Sequence, residues 1–226
     1  MPRIPADEYL ARAYALTTPT EARTLYNDWS SLYDTDLNGA RYASPQRAVE
    51  TILKHLPASQ SQTAASNAAS EQVLRILDAG CGTGLVGSHL ATSSVLSDKF
   101  VLDGIDLSEG MLDIAREKNV YDSLRIANLN DPLPASDGFY DVVVCVGTLT
   151  EGHVGPGVLG EFVRVVKRGS GIVVVTVHEK VWESMGFRGE VERLESTGGV
   201  EVESVGEFGI LEGEKAGGRM VVLRRT

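Results

Sequence analysis

Cysteine is scarce. The chain of 226 residues has two, Cys81 and Cys145, and neither stands in a CxxC or Cys/His spacing. That argues against a structural zinc or a disulfide framework, and fits a reducing, cytoplasmic compartment with no metal site. No apolar run approaches the roughly 20 residues needed to span a bilayer. The opening MPRIPADEYL also lacks the apolar stretch of a secretory signal, so no membrane partner is expected. Positive charge is short as well: 21 Lys+Arg stand against 31 Asp+Glu, a formal net charge of −10. Such a chain lacks the phosphate-neutralising charge that drives nucleic-acid binding, and no nucleic-acid partner is expected. What is present is an ordinary globular balance, in a length that accommodates one elaborated domain with its own core.

Three segments differ in character. Residues 1–56 are rich in aromatics and read as helices. After Thr20-Glu21-Ala22-Arg23, the residues Leu25, Tyr26, Trp29, Leu32 and Tyr33 share one helical face. A second helix is expected from Ser44-Pro45, with Ser44 as N-cap and a stripe of Ala48, Val49, Ile52, Leu53 and Leu56. Residues 57–70, PASQSQTAASNAAS, carry no charge and no large apolar group. They cannot offset the entropy of ordering, so 57–72 reads as a flexible linker or exposed insertion.

From Val73 to the end, over 73–226, short β-branched runs alternate with helical patterns. Strands are expected at 75–78, 100–106, 124–127, 141–146, 171–177, 200–208 and 220–224. Helices are expected after the first, second, fourth and fifth, and Ser108 is placed to cap one that turns Met111, Leu112 and Ala115 inward. The pattern predicts an α/β fold: a seven-stranded, mostly parallel sheet with helices on both faces. The last two strands, joined by a Gly/Glu-rich turn over 209–218, are expected to form an antiparallel hairpin at one edge. Asp103 is expected to face solvent, and His55 and His89 to lie on the surface.

The strongest local signal is Ile76-Leu77-Asp78-Ala79-Gly80-Cys81-Gly82-Thr83-Gly84-Leu85-Val86-Gly87. An apolar strand runs into a loop with glycine at alternate positions, then into a helix. Glycine lets the backbone turn tightly and approach a ligand with no Cβ in the way. Gly82-x-Gly84-x-x-Gly87 fits the dinucleotide fingerprint, and Asp106, 22 residues past Gly84, fits its ribose-binding acid. On that pattern alone a nicotinamide or flavin enzyme stays open. Asp78 tilts the choice, because a carboxylate at the strand end would repel a pyrophosphate but attract an ammonium or sulfonium. Gly80 extends the loop to Asp-x-Gly-x-Gly-x-Gly, and a terminal hairpin is unlike the second half of a dinucleotide fold.

Asp78-Ala-Gly-Cys-Gly-Thr-Gly84, Gly104-Ile-Asp106-Leu-Ser108 and Met111-Leu112 resemble the class I S-adenosylmethionine-dependent methyltransferases, over roughly 73–226. A closer likeness adds Tyr26-Asn-Asp-Trp29-Ser-Ser-Leu-Tyr33-Asp34, Pro132-Leu-Pro134 and Val146-Gly-Thr-Leu-Thr-Glu151-Gly152. These stretches resemble the Williams-Beuren-region methyltransferase-like proteins. The insertion at 57–70 and the turn at 209–218 depart from that likeness.

The resemblance implies a Rossmann-like sheet, S-adenosyl-L-methionine as cofactor, and methyl transfer by in-line displacement. It does not supply the substrate, and the leading reading is a small-molecule acceptor methylated on an O, N or S atom. It implies that the backbone of Gly80, Cys81, Gly82 and Gly84 passes beneath the methionine moiety and that Asp78 helps hold its amino group. Asp106 would accept from both ribose hydroxyls, while Leu107 and Met111 would wall the adenine. Asn128 and Leu129 stand where the family often has an acid that reads the adenine amino group. Val146 and Gly147 would border the transferable methyl. Residues 1–56 would form a helical lid, with the Tyr26/Trp29/Tyr33 stripe serving as core, as cofactor contact through Tyr33, or as both.

Positioning and exclusion of water can supply most of the rate of such a transfer. A base is needed only for an acceptor protonated at neutral pH. His153, after the fourth strand, is the better candidate and His178, after the fifth, the weaker. Glu151 could orient an amine or a histidine. The segment 181–187 suits an apolar acceptor or a helix packed on the sheet. A protein methyltransferase, a nicotinamide-dependent oxidoreductase and a non-catalytic cofactor-binding protein are the competing functions.

Overall fold

The computed structural model describes residues 6–56, 73–96 and 100–226. The linker reading of 57–72 falls outside the described residues. All seven expected strands form: β1 (Leu74–Ala79), β2 (Phe100–Asp106), β3 (Ser123–Ile126), β4 (Val142–Leu149), β5 (Ile172–His178), β6 (Val200–Gly209) and β7 (Gly217–Arg225). They make one sheet in the order β3-β2-β1-β4-β5-β7-β6. The first five pair in parallel. The hairpin enters by its second strand: β7 pairs antiparallel with β5, and β6 is left at the edge.

Side-chain alternation builds two cores. In β4, Val142 and Val144 belong to one buried cluster, and Val143 and Cys145 to the other. Ile172 and Val174 of β5 alternate with Val173 and Val175 in the same way. Apolar runs with no polar face belong to a sheet covered on both sides. One cover is α3 (Ser44–His55) with α4 (Leu85–Ala91), through Ala48, Ile52, Val86 and Leu90. The other is α6 (Val158–Val165), α7 (Glu179–Ser184) and α8 (Phe187–Ser196), through Leu159, Phe162, Trp182 and Phe187. Helix α5 (Glu109–Glu117) buries Met111, Leu112 and Ala115, and Ser108 caps it by accepting from Met111 N at 3.1 Å.

The N-terminal helices are α1 (Ala6–Ala13) and α2 (Pro19–Gly39). They make a separate small core in which Tyr9 stacks on Trp29 at 5.1 Å between ring centroids. Helix α2 starts earlier than Thr20 because Thr18 and Glu21 form a reciprocal capping box around Pro19. The expected cap of α3 is corrected. Ala43 is the N-cap, and Ser44 instead donates to Ile210 O at 3.4 Å, joining the helix start to the β6–β7 turn. Asp103 does not simply face solvent: it accepts from Tyr140 OH at 2.9 Å and from Ser123 Oγ. His55 and His89 are half-buried, because His55 Nδ1 lies 2.7 Å from Glu203 and His89 sits in the last turn of α4.

Candidate active site

The strand order reverses beside β1, where β2 lies on one side and β4 on the other. Ligands of open α/β sheets bind outside the carboxyl ends of the strands at such a point. The glycine loop is pinned there, since Gly80 N and Cys81 N both donate to Ile105 O, at 2.8 and 3.0 Å. A Cβ on Gly80, where φ is +74°, would come within 2.3 Å of Thr148 Oγ1. The loop therefore crosses the end of β4 at a distance that only glycine permits.

Asp78, at the end of β1, is 1% exposed. Its Oδ2 accepts from Tyr121 OH at 2.7 Å, and its Oδ1 is buried without a partner. Burial pushes its carboxyl up to about 7, with the Tyr121 hydrogen bond opposing and the Asp106 charge adding to the rise. A buried carboxylate with a bare oxygen is unsettled until a cation arrives. Tyr121 also explains the glycines. A Cβ on Gly84, Gly87 or Gly104 would fall 2.9, 2.7 or 2.9 Å from its ring. Gly87, which completes the dinucleotide-like pattern, thus makes room for a tyrosine, not for a phosphate.

Asp106 ends β2 with both oxygens held: Gly82 N donates to Oδ2 and Ser108 N to Oδ1, each at 2.9 Å. Two backbone donors fix its orientation and leave further lone pairs for a diol. Burial raises its carboxyl, and those hydrogen bonds oppose the rise.

A cavity above these strand ends gathers most of the expected residues. Gly80, Gly82 and Asp106 form one side, with Leu107 and Met111 beside them. Asn128 and Leu129 follow β3, while Val146, Gly147 and His153 come from β4 and its loop. Tyr33 closes it from α2. Met111 and Leu129 are also core residues, 2% and 6% exposed. The oxygen of the Asn128 amide already accepts from Asn130 N at 3.1 Å and Asn130 Nδ2 at 3.3 Å, so it is largely committed to its own turn.

Four expected residues stand elsewhere. Asp78 does not line the cavity; it supplies charge from inside the strand end. Gly84 starts α4 against Tyr121. Cys81 lines a smaller hollow with Thr83, Leu85 and Val86, and burial pushes its thiol well above the ordinary range. The carboxylate of Glu151 is exposed, and the residue acts through its main chain: its carbonyl oxygen lies 2.7 Å from His153 Nδ1. A carbonyl only accepts, so Nδ1 carries the proton and Nε2 is the basic nitrogen. That Nε2 lies 2.8 Å from Tyr26 OH, which donates to it. Burial holds the imidazole below its usual range and therefore neutral at pH 7.

Helix α2 is fastened over this site. Asn27 Oδ1 accepts from Ser108 Oγ at 2.7 Å and from Gly110 N at 3.0 Å. Asp34 accepts from Thr83 Oγ1 and pairs with Lys118 Nζ at 2.7 Å.

A second cavity, of about 360 Å³, adjoins the first. The two share Tyr26, Tyr33, Gly147 and His153. Its far wall is the β6–β7 turn, which is docked on the α2–α3 link by Ala43 N donating to Ile210 O at 3.0 Å and Glu212 N to Arg41 O at 2.9 Å. Sequence reasoning passed over Tyr121 and Tyr42. The Tyr42 hydroxyl lies where a Cβ on Gly147 would be, 2.6 Å away. Gly104 and Gly147, each within a strand, were the available signal, since a Cβ on either would meet one of these tyrosines.

Residues 76–169 match a family model described as a methyltransferase domain. The human methyltransferase-like protein 27 is 31% identical over 177 residues, which cover 76% of this chain and 65% of that protein. The chain thus spans a little under two thirds of that relative's length. Among solved structures, magnesium protoporphyrin IX methyltransferase from Synechocystis PCC 6803 with bound SAH superposes at a TM-score of 0.63. It is 16% identical, with 92% of this chain and 99% of that one covered. The (4+2)-cyclase SpnF superposes at 0.64, also 16% identical, over 93% and 97% of the two chains. At such identities the likeness is one of fold. Among the described residues no helix is long and apolar enough to cross a membrane. The domain match over the central strands and the relative along most of the chain agree with the shared fold: residues 76–169 carry a methyltransferase domain, built on the sheet of the class I S-adenosylmethionine-dependent methyltransferases.

Proposed function

We propose that the protein transfers a methyl group from S-adenosylmethionine to a small-molecule acceptor held in the second cavity. The observation that carries this is the junction. One cavity lies on the glycine loop and Asp106, the other lies beside it, and Tyr26, Tyr33, Gly147 and His153 belong to both. The shared fold of a cyclase means that the sheet alone does not specify a reaction. A walled cavity suits a small molecule better than a peptide, which needs a groove.

The residues present fit the cofactor. Asp78 supplies the counter-charge for its ammonium, which its unpartnered Oδ1 otherwise lacks. Asp106, already aligned by two backbone donors, accepts from its ribose hydroxyls. Leu107 and Met111 wall its base, and Val146 with Gly147 borders the reacting carbon. When bound, S-adenosylmethionine supplies a methyl group activated by a sulfonium leaving group. Helices α1 and α2 act as the lid: Asn27 and Asp34 hold α2 to the two loops that carry the site, which excludes water from it. His153 is the general base for an acceptor that must lose a proton.

Calorimetry tests the reading. S-adenosylhomocysteine is expected to bind and to raise the melting temperature, while NADH and NADPH give no heat. Dinucleotide binding without S-adenosylhomocysteine binding would reverse the proposal. Radiolabelled transfer from S-adenosylmethionine to a pooled metabolite extract then separates an enzyme from a non-catalytic binding protein.

Asp78 sets a pH dependence whose sign follows from its raised pKa. Its carboxyl titrates near 7 without ligand, so below that pH an ammonium must displace its proton. Affinity for S-adenosylhomocysteine is expected to fall by up to about tenfold per pH unit as pH drops from 7 to 5, and to be flat above 8. Without ligand the same group lowers folding stability as pH rises from about 4 to 7, because the folded state keeps the proton that the unfolded chain has lost. Tyr121→Phe removes the hydrogen bond that favours the carboxylate, so the fall should begin at higher pH. An affinity independent of pH would remove Asp78 from cofactor recognition.

A further inference from the structure

We infer that the larger cavity binds an uncharged aromatic hydroxyl compound, with its hydroxyl on Tyr26 and its rings among the aromatic walls. This deepens the methyl-transfer reading and rests on it for the reaction, though not for the binding. Among the described residues no lysine or arginine lines the 360 Å³ cavity. An acceptor carrying a carboxylate or phosphate would enter without a counter-charge, at the full cost of desolvation. A cation fares little better. Glu214, the single lining carboxylate among the described residues, is exposed and its Oε2 accepts from Leu211 N at 3.0 Å. Lys180 does not line the cavity; its ammonium stands 5.8 Å from the centre of the Tyr14 ring. Glu214 thus meets solvent, and the other described lining residues, two histidines among them, carry no carboxylate, ammonium or guanidinium group. Both lining histidines, His153 and His178, are held below their ordinary range by burial and stay neutral.

What the interior offers is rings. Tyr14, Tyr26, Trp29, Tyr33, Tyr42 and Phe208 all border it. Trp29 is buried against Tyr9 and Tyr26 and meets Tyr33 edge-on at 4.7 Å, so it backs the wall while the half-buried Tyr26 and Tyr33 face a further ring. At the junction with the cofactor side stands one proton path: Tyr26 OH donates to His153 Nε2, whose other nitrogen is fixed on Glu151 O. Because the Tyr26 hydroxyl covers that lone pair, a proton reaches His153 through Tyr26. In the transfer, the acceptor's oxygen–carbon bond forms as the carbon–sulfur bond breaks, and the bonding pair stays on sulfur. The acceptor's proton moves to Tyr26 Oη as Tyr26's own proton moves to His153 Nε2, leaving an imidazolium that returns the proton to water. A phenol, with its pKa near 10, needs such a path at pH 7. A carboxylate acceptor does not.

The test is calorimetry on the full chain, saturated with S-adenosylhomocysteine, with three probes that share one ring system. 2-Naphthol is expected to bind at least tenfold more tightly than 2-naphthoate or 2-naphthylmethylammonium. Tyr26→Phe is expected to weaken 2-naphthol about two- to tenfold, the worth of one neutral hydrogen bond. Nuclear Overhauser contacts from the naphthol ring to methyl groups of Leu10, Leu37 or Leu149 locate it in the cavity, whatever the behaviour of the variant. Either charged probe binding as tightly as 2-naphthol would overturn the inference, as would an unchanged affinity in a folded Tyr26→Phe protein or contacts to other residues. The heat of S-adenosylhomocysteine is read first and separately. Its absence strikes the methyl-transfer reading alone, and the three probes are then compared on the free chain by the same criteria.

Discussion

Asp106→Ala is expected to weaken S-adenosylhomocysteine binding by about 1.5–3 kcal/mol, roughly ten- to a hundredfold, the range for charge-assisted hydrogen bonds to a carboxylate. The geometry favours the upper part of that range. Gly82 N and Ser108 N already hold the two oxygens, so no ordering of the side chain remains to oppose binding. The same change leaves two buried donors without acceptors, so a loss of stability accompanies the loss of affinity. Asp106→Asn separates the two effects, since an amide oxygen can still accept one of those bonds. Its stability should lie closer to the parent, with affinity still reduced. Asp103→Ala serves as the comparison on the same strand. It loses the bonds from Tyr140 and Ser123 and so some stability, while affinity stays nearly unchanged. Equal affinity losses in Asp103→Ala and Asp106→Ala would remove the ribose assignment.

The second large effect is on turnover. On a phenolic acceptor, His153→Ala is expected to lower kcat by 10²–10⁴-fold, the usual contribution of a general base, with S-adenosylhomocysteine affinity preserved. On a thiolate or an unprotonated amine the change should matter little. The pH profile distinguishes a base from a packing residue. The basic form of His153 is the neutral one, and burial holds its pKa below the ordinary 6.5. The parent kcat should therefore rise with pH through that lowered value and level off before pH 7. The limb should vanish in His153→Ala, where the remaining rate depends on ionisation of the acceptor itself. A full-rate His153→Ala protein on a phenol would leave positioning as the whole mechanism.

The origin of each feature shows how far the chain can be read as a string. The runs Val142-Val143-Val144-Cys145 and Ile172-Val173-Val174-Val175 announce a sheet covered on both faces, because a strand's neighbours on either side are its own adjacent residues. The alternate glycines at 80, 82 and 84 and the acids Asp78 and Asp106 mark strand ends in the same local way. Even so, local pattern left the ligand ambiguous. Gly82-x-Gly84-x-x-Gly87 reads equally as a dinucleotide turn until Tyr121, from a loop 34 residues after Gly87, is seen to occupy the space those last two glycines leave.

By itself, then, the sequence determined the strands, their mainly parallel character, the glycine loop and its two strand-end acids, since each is encoded in neighbouring residues and in the periods of two and 3.6. Tertiary structure alone decided the rest. Tyr26 and His153 are 127 residues apart in the chain and 2.8 Å apart in the fold, a meeting no periodicity encodes. The second cavity exists because the 209–218 turn docks on the α2–α3 link, and Ser44 gives up its expected capping role to help hold it there. Asp78 carries its unpartnered oxygen because the sheet and Tyr121 bury it together, and burial is a property of the packed whole rather than of any segment.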